Sequence, residues 1–138
     1  MNKYTIQDIK VGLKEQFEVS ITDSMMEAFR AITGDVNPLH IDREFALERE
    51  YPDRIVYGLL TSSFLSTLAG VYLPGENSLI REVDTKYVKP VFVGDRLTIT
   101  GEVIEVNYDF KIFTMKVTIV NQNGEKVVRG KMQMGVLG

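Results

Sequence analysis

The stretch Leu59-Leu60-Thr61-Ser62-Ser63-Phe64-Leu65-Ser66-Thr67-Leu68-Ala69-Gly70-Val71 carries no charge. Wound as a helix, its Leu59, Leu60, Phe64, Leu65, Leu68, Ala69 and Val71 cover most of the circumference, and the other positions are small or hydroxylated. A helix lying on a protein surface keeps a polar stripe for water. This one keeps none, so other structure must cover it on nearly every side. The chain has 138 residues, which suits one domain with a real core and leaves little room for a second. Residues 1–138 are therefore read as a single domain, and the cover must be a sheet wrapped around the helix.

The sequence downstream supplies that sheet. Leu73-Pro74-Gly75-Glu76-Asn77 is a turn cluster, and four strand-like runs follow. Ser78 to Lys89 alternates loosely. Arg96 to Asn107 carries Leu97, Ile99 and Val103 and is interrupted by Gly101, which predicts a bend or bulge. Phe113, Met115, Val117 and Ile119 alternate strictly, as do Val128, Gly130, Met132, Met134 and Val136. Asn107-Tyr108-Asp109 and Asn123-Gly124 are connections tight enough to force antiparallel pairing. The expected class is α+β, with an antiparallel β-sheet curled around a central apolar α-helix.

Upstream, Gln16 to Ile21 alternates Phe17, Val19 and Ile21 as a first strand. Ser24 and Glu27 read as a capping box, opening a helix whose Met25, Phe29 and Ile32 pack on the core. Gly34 ends it. Pro38 then keeps the helix from resuming and holds Asn37 extended. Asp42 caps a further helix, Arg43 to Glu50. Between the first helix and Asp42 lies Gly34-Asp35-Val36-Asn37-Pro38-Leu39-His40, which contains the only histidine of the chain. Asp35 and His40 sit on two arms of a tight loop that can bring a carboxylate and an imidazole to one point. That pair is minimal equipment for acid–base chemistry near neutral pH. On residues alone, His40 stays open between loop packing and catalysis, and Asp35 between a turn residue and a partner for it.

Composition excludes several classes. One histidine and no cysteine leave no zinc site of several histidines or cysteines, no disulfide and no thiolate nucleophile, and no carboxylate cluster resembles a calcium or magnesium loop, so no metal is expected. There is neither a Gly-x-Ser-x-Gly elbow nor a glycine-rich phosphate loop. A net charge of −3 offers no basic stripe for nucleic acid. No apolar run reads as a signal peptide or a clear membrane span. A cytoplasmic location is expected.

Phe29, Ile32, Thr33, Gly34, Asp35, Asn37, Pro38, Leu39, His40 and Ala46 fill, without a gap, a signature that resembles that of the MaoC-like dehydratases, the (R)-specific enoyl-CoA hydratase family. Ile55-Val56-Tyr57-Gly58-Leu59-Leu60 looks like the entry to that family's central helix. Tyr87-Val88-Lys89-Pro90-Val91-Phe92-Val93-Gly94-Asp95 looks like its Pro-Val-x-x-Gly-Asp strand and turn. The likeness covers most of the chain after residue 16 and implies the hotdog fold. One departure is Tyr57, where family members often carry histidine.

The resemblance implies reversible syn hydration of trans-2-enoyl-CoA to (R)-3-hydroxyacyl-CoA, a hydro-lyase reaction. Asp35 and His40 would be the catalytic pair. The backbone N–H of Gly58, at a helix N-terminus, would bind the thioester oxygen. Asn37, Tyr57 and Ser63 (or its neighbour Ser62) would support them, and Phe64, Leu65 and Leu68 would line the acyl tunnel. No cofactor is expected beyond the coenzyme A, or a phosphopantetheine arm, that the substrate brings. Arg54, Arg81, Lys86 and Lys89 are available for its phosphates. A homodimer joined at sheet edges is expected. The rival functions are a hotdog acyl-thioester hydrolase and a non-catalytic acyl-thioester-binding or assembly domain.

Overall fold

The computed structural model describes residues 1–138. Strand β1 (Lys14–Ser20) leads into helix α1 (Asp23–Thr33) and two short helices, α2 (Pro38–Ile41) and α3 (Arg43–Glu48). Helix α4 (Gly58–Thr67) passes directly into a wider π-turn, Leu68–Tyr72, closed by Leu73 N–H donating to the Leu68 carbonyl at 2.8 Å. Strands β2 (Ser78–Tyr87), β3 (Arg96–Asn107), β4 (Ile112–Val120) and β5 (Lys126–Val136) complete one sheet in the order β1-β3-β4-β5-β2. Every pairing is antiparallel. The α+β architecture read from the sequence is the one observed.

Alternation explains why the sheet curls around α4. Leu97, Ile99 and Val103 of β3, Met115 and Val117 of β4, and Met132 and Met134 of β5 are all buried. They form one core with Leu60, Leu65, Leu68 and Ala69 from the helical segment. A contiguous apolar face of this kind is the main source of stability in a chain of this size. Gly101 is the closest point of contact. A Cβ there would lie 2.9 Å from Met115 Sδ and 3.0 Å from Leu68 Cδ2. It therefore lets the helix approach the sheet, and it is not the expected bulge. The register irregularity falls instead between Val103 and Glu105.

Other expectations require correction. Thr22, not the Ser24/Glu27 pair, caps α1: its Oγ1 accepts from Met25 N–H at 3.2 Å. The buried residue of α1 is Met26, whereas Ile32 is 83 % exposed. Pro38 does not keep helix from resuming; it occupies the first position of α2, where its missing N–H costs nothing. Asn37 is extended, as expected (φ −58, ψ 128), and caps that helix. Asp42 caps α3, which stops at Glu48, two residues earlier than expected. Leu59, in the first turn of α4, is 67 % exposed, so the cover over the helix is open at its N-terminal end.

Candidate active site

The open end of α4 is where the Asp35–His40 loop arrives. Gly34 ends α1 in the left-handed region (φ 73), a conformation that a side chain would strain. Asp35 N–H then donates to Thr33 Oγ1 at 3.2 Å, and Asp35 Oδ1 accepts from Asn37 N–H at 3.0 Å. Asn37 Oδ1 accepts in turn from Leu39 N–H at 3.0 Å. Each side chain fixes the backbone two residues on, so the loop is held by its own polar groups. Asn37 thereby sets the course of the chain between Asp35 and His40.

Two contacts orient the imidazole. His40 Nδ1 lies 2.7 Å from the Ile55 carbonyl oxygen. A carbonyl can only accept, so Nδ1 carries the proton and Nε2 is the basic nitrogen. Ile55 N–H donates to the Leu39 carbonyl at 3.1 Å, which ties the two segments together on both sides of the ring. The His40 ring packs on Tyr57 with centroids 4.2 Å apart.

Tyr57 supports both arms of the loop. It is 2 % exposed, packs against Phe29 at 4.7 Å, and donates its hydroxyl to the Asp35 carbonyl at 2.6 Å. One side chain thus braces Asp35 through a hydrogen bond and His40 through ring contact. This tyrosine, where the family often carries histidine, thus touches both arms of the loop.

Two adjoining cavities meet at this point. One, of about 250 Å³, is lined by Phe29, Thr33, Asp35, Leu59 and others. The second, of about 270 Å³, is lined by Ile55, Val56, Thr61, Val91, Val128 and others. His40, Gly58 and Tyr87 border both. The Gly58 N–H begins α4 and has no acceptor in the chain, so it is a free donor beside the imidazole. The ring of Tyr87 covers Gly58 so closely that a Cβ there would be 3.2 Å from Tyr87 Cε1. The Tyr87 hydroxyl is 2.8 Å from Ser62 Oγ. At the rim of the second cavity the Lys89 ammonium bonds Glu125. That bond, followed by one from Asn121, holds the Glu125 carboxyl below the usual carboxylate range.

The remaining expected site residues lie elsewhere. Phe64, Leu65 and Leu68 line neither cavity. They pack into the core, because the face of α4 that carries Gly58 and Thr61 is the one turned to the cavities. Ser63 donates to the Leu60 carbonyl of its own helix at 2.6 Å and does not reach the site; Ser62 reaches it only through Tyr87. Arg54, one of the cations available for phosphates, is held by Asp23 at 2.8 Å. A cleft of about 420 Å³ elsewhere is bordered by Lys86, Lys116 and Arg129 among others and holds no imidazole.

The family model described as "MaoC like domain" matches residues 6–125. The chain belongs to the MaoC-like family. It is 35 % identical over 125 residues to the (R)-specific enoyl-CoA hydratase of Aeromonas caviae, covering 91 % of this chain and 93 % of that one. It is 34 % identical over 100 residues to the 3-hydroxybutyryl-CoA dehydratase of Methylorubrum extorquens, covering 72 % and 64 %. The solved (R)-hydratase from A. caviae involved in PHA biosynthesis superimposes with a TM-score of 0.90 at 34 % identity, covering 94 % of this chain and 98 % of that one. The R-hydratase PhaJ1 of Pseudomonas aeruginosa also gives 0.90, at 28 % identity and 96 % and 85 % coverage. The hotdog fold is thereby shown, and this MaoC-like chain has it across nearly its full length.

Proposed function

We propose that this chain is an (R)-specific enoyl-CoA hydratase, a hydro-lyase that reversibly adds water to trans-2-enoyl-CoA to give (R)-3-hydroxyacyl-CoA. One observation carries the reading: Nδ1 of the only histidine is committed to the Ile55 carbonyl, which makes Nε2 a base beside the cavity that Asp35 shares.

Asp35 orients a water molecule through Oδ2, since Oδ1 is held by Asn37 N–H. His40 Nε2 takes a proton from that water as its oxygen bonds to the β-carbon. The carbon–carbon π electrons move toward the α-carbon and the thioester oxygen, where the Gly58 N–H stabilises the developing charge. The borrowed proton is delivered to the α-carbon on the same face, so the sum is water added syn. The acyl group stays bound to the coenzyme A that the substrate carries, and the proton transfers use the chain's own residues. The acyl group lies against Ile55, Val56, Val91 and Val128, in place of the Phe64, Leu65 and Leu68 read from the sequence.

The working form is a homodimer joined along β2. That strand is one edge of the sheet and leaves Leu79, Ile80 and Val83 exposed. An unpaired apolar edge of this length is what a second copy would cover. Tyr87, at the end of the same strand, brings the joint close to Gly58. The cysteine-free sequence supports a reducing cytoplasm, and no helix is long and apolar enough to cross a membrane. The test is loss of enoyl absorbance with crotonyl-CoA, for wild type, Asp35→Asn and His40→Ala. Hydration by wild type and its loss in both variants is expected; undiminished rates in both variants would remove the assignment.

A further inference from the structure

Helix α4 carries three consecutive hydroxyl side chains in its first two turns, and they differ in what they bond. Ser62 Oγ donates to the Leu59 carbonyl at 3.4 Å and also meets Tyr87. Ser63 Oγ donates to the Leu60 carbonyl at 2.6 Å. Back-bonding of this kind is the ordinary fate of a hydroxyl inside a helix. Thr61 does not do it. Its Oγ1 is buried and is the one buried side-chain polar atom without a hydrogen-bond partner, in a residue only 1 % exposed. The carbonyl it would ordinarily use, that of Tyr57, accepts from the Thr61 N–H at 3.1 Å.

An unpaired buried hydroxyl opposes folding, and valine has the same shape without it. The position of Thr61 gives the hydroxyl a use. Thr61 lines the cavity that His40 and Gly58 border. It lies three residues after Gly58, on the same helix face. Helical side chains lean toward the N-terminus and cover the turn before their own Cα. Thr61 therefore covers the first turn of α4, where the Gly58 N–H is also unpaired. Two free donors on one helix face, beside the only imidazole, suit one acceptor atom.

We infer that the Thr61 hydroxyl is a second hydrogen-bond donor to the thioester oxygen that the Gly58 N–H receives. This rests on the hydration reading above. In the free chain the hydroxyl is turned away from solvent; a turn about χ1 brings it to the substrate, where it gains the partner it lacks, in a bond that strengthens as negative charge builds on that oxygen. Thr61 is thus a catalytic residue that holds electron density and moves no proton.

The test compares Thr61→Val and Thr61→Ser in the full chain. Thr61→Val should melt at or above the wild-type temperature, because it deletes an unpaired buried hydroxyl. Its kcat for crotonyl-CoA should fall about 10- to 100-fold with KM changed less than about threefold. Thr61→Ser should keep kcat within about threefold of wild type. The saturated thioester butyryl-CoA, measured by calorimetry, should bind Thr61→Val about threefold more weakly. Wild-type kcat and wild-type butyryl-CoA affinity in Thr61→Val overturn the proposal. So does a loss of activity matched by a fall in Tm, which would assign Thr61 to packing. A wild-type chain that hydrates no enoyl thioester fails the parent reading instead, and the butyryl-CoA comparison then still decides what Thr61 contacts.

Discussion

Tyr57→Phe deletes one oxygen and leaves the aromatic ring. The hydroxyl is lost from the Asp35 carbonyl, 2.6 Å away, while the contacts with His40 at 4.2 Å and Phe29 at 4.7 Å remain. A neutral intramolecular hydrogen bond contributes about 0.5–1.5 kcal/mol net. Asp35 is exposed, so water can replace the donor at its carbonyl, and the stability loss belongs at the low end of that range. With an unfolding entropy of about 2.1 cal/mol/K per residue, a chain of this length loses roughly 3 °C of Tm per kcal/mol. The expected fall is about 2 °C. Activity should suffer more: in the proposed site the hydroxyl, through the Asp35 backbone carbonyl, fixes the carboxylate relative to Nε2. If the whole bond is needed to hold that register in the transition state, kcat falls by about 2- to 12-fold, and KM stays near wild type. Tyr57→Ala also removes the ring, and large-to-small changes of this kind cost about 3–5 kcal/mol. The assays are thermal melting followed by circular dichroism and hydration of crotonyl-CoA at saturating substrate. Wild-type kcat in Tyr57→Phe would refute the claim that the hydroxyl places Asp35. A change confined to KM would assign it to substrate binding instead.

Asp35→Asn and His40→Ala should each lower kcat by about 10²- to 10⁴-fold, with Tm little changed for Asp35, which is exposed. Asn37→Ala removes the cap of α2, worth about 1 kcal/mol, and should reduce hydration by less than either. Gly101→Ala forces a methyl against Met115 Sδ and Leu68 Cδ2; overpacking of this kind costs about 1–3 kcal/mol, read as a fall in Tm or in the urea midpoint. Glu125 titrates below the usual carboxylate range because of Lys89 first and Asn121 second. Its stabilising contribution is present above the ordinary carboxylate pKa and is lost as pH falls through the lowered value of the folded chain. Lys89→Met should therefore move the Glu125 carboxyl resonance titration upward in NMR.

The architecture was legible because it rests on periodicity. An uncharged helix and strands whose apolar residues alternate define an inside without reference to any distant contact. The loop's internal bonding is a local signal as well, since the Asx-type bonds of Asp35 and Asn37 join residues two apart. What escaped depends on direction in space. Met26 and Ile32 differ in burial because the approach of α1 to the sheet sets which of its faces is covered. Pro38 reads equally as a helix stop or as a first helical residue, and only the Asn37 cap decides between them. Phe64, Leu65 and Leu68 are as apolar as any tunnel lining, yet the rotation of α4 turns them to the core. Tyr87 opens the Tyr87–Asp95 strand and turn, and nothing in a β-strand sequence says that its ring reaches Gly58. The Ile55 carbonyl, which sets the tautomer of His40, is a backbone group and has no signature in residue type.

Asp35 and His40 Nε2 are proposed to act together to add one water to one face of an enoyl thioester. The decisive experiment incubates the wild-type chain with crotonyl-CoA in deuterated water and follows the product by NMR and chiral analysis. The expected product is (R)-3-hydroxybutyryl-CoA with deuterium at C2 on the face that received the hydroxyl. An (S) product, deuterium on the opposite face, or free coenzyme A thiol without hydration would contradict it.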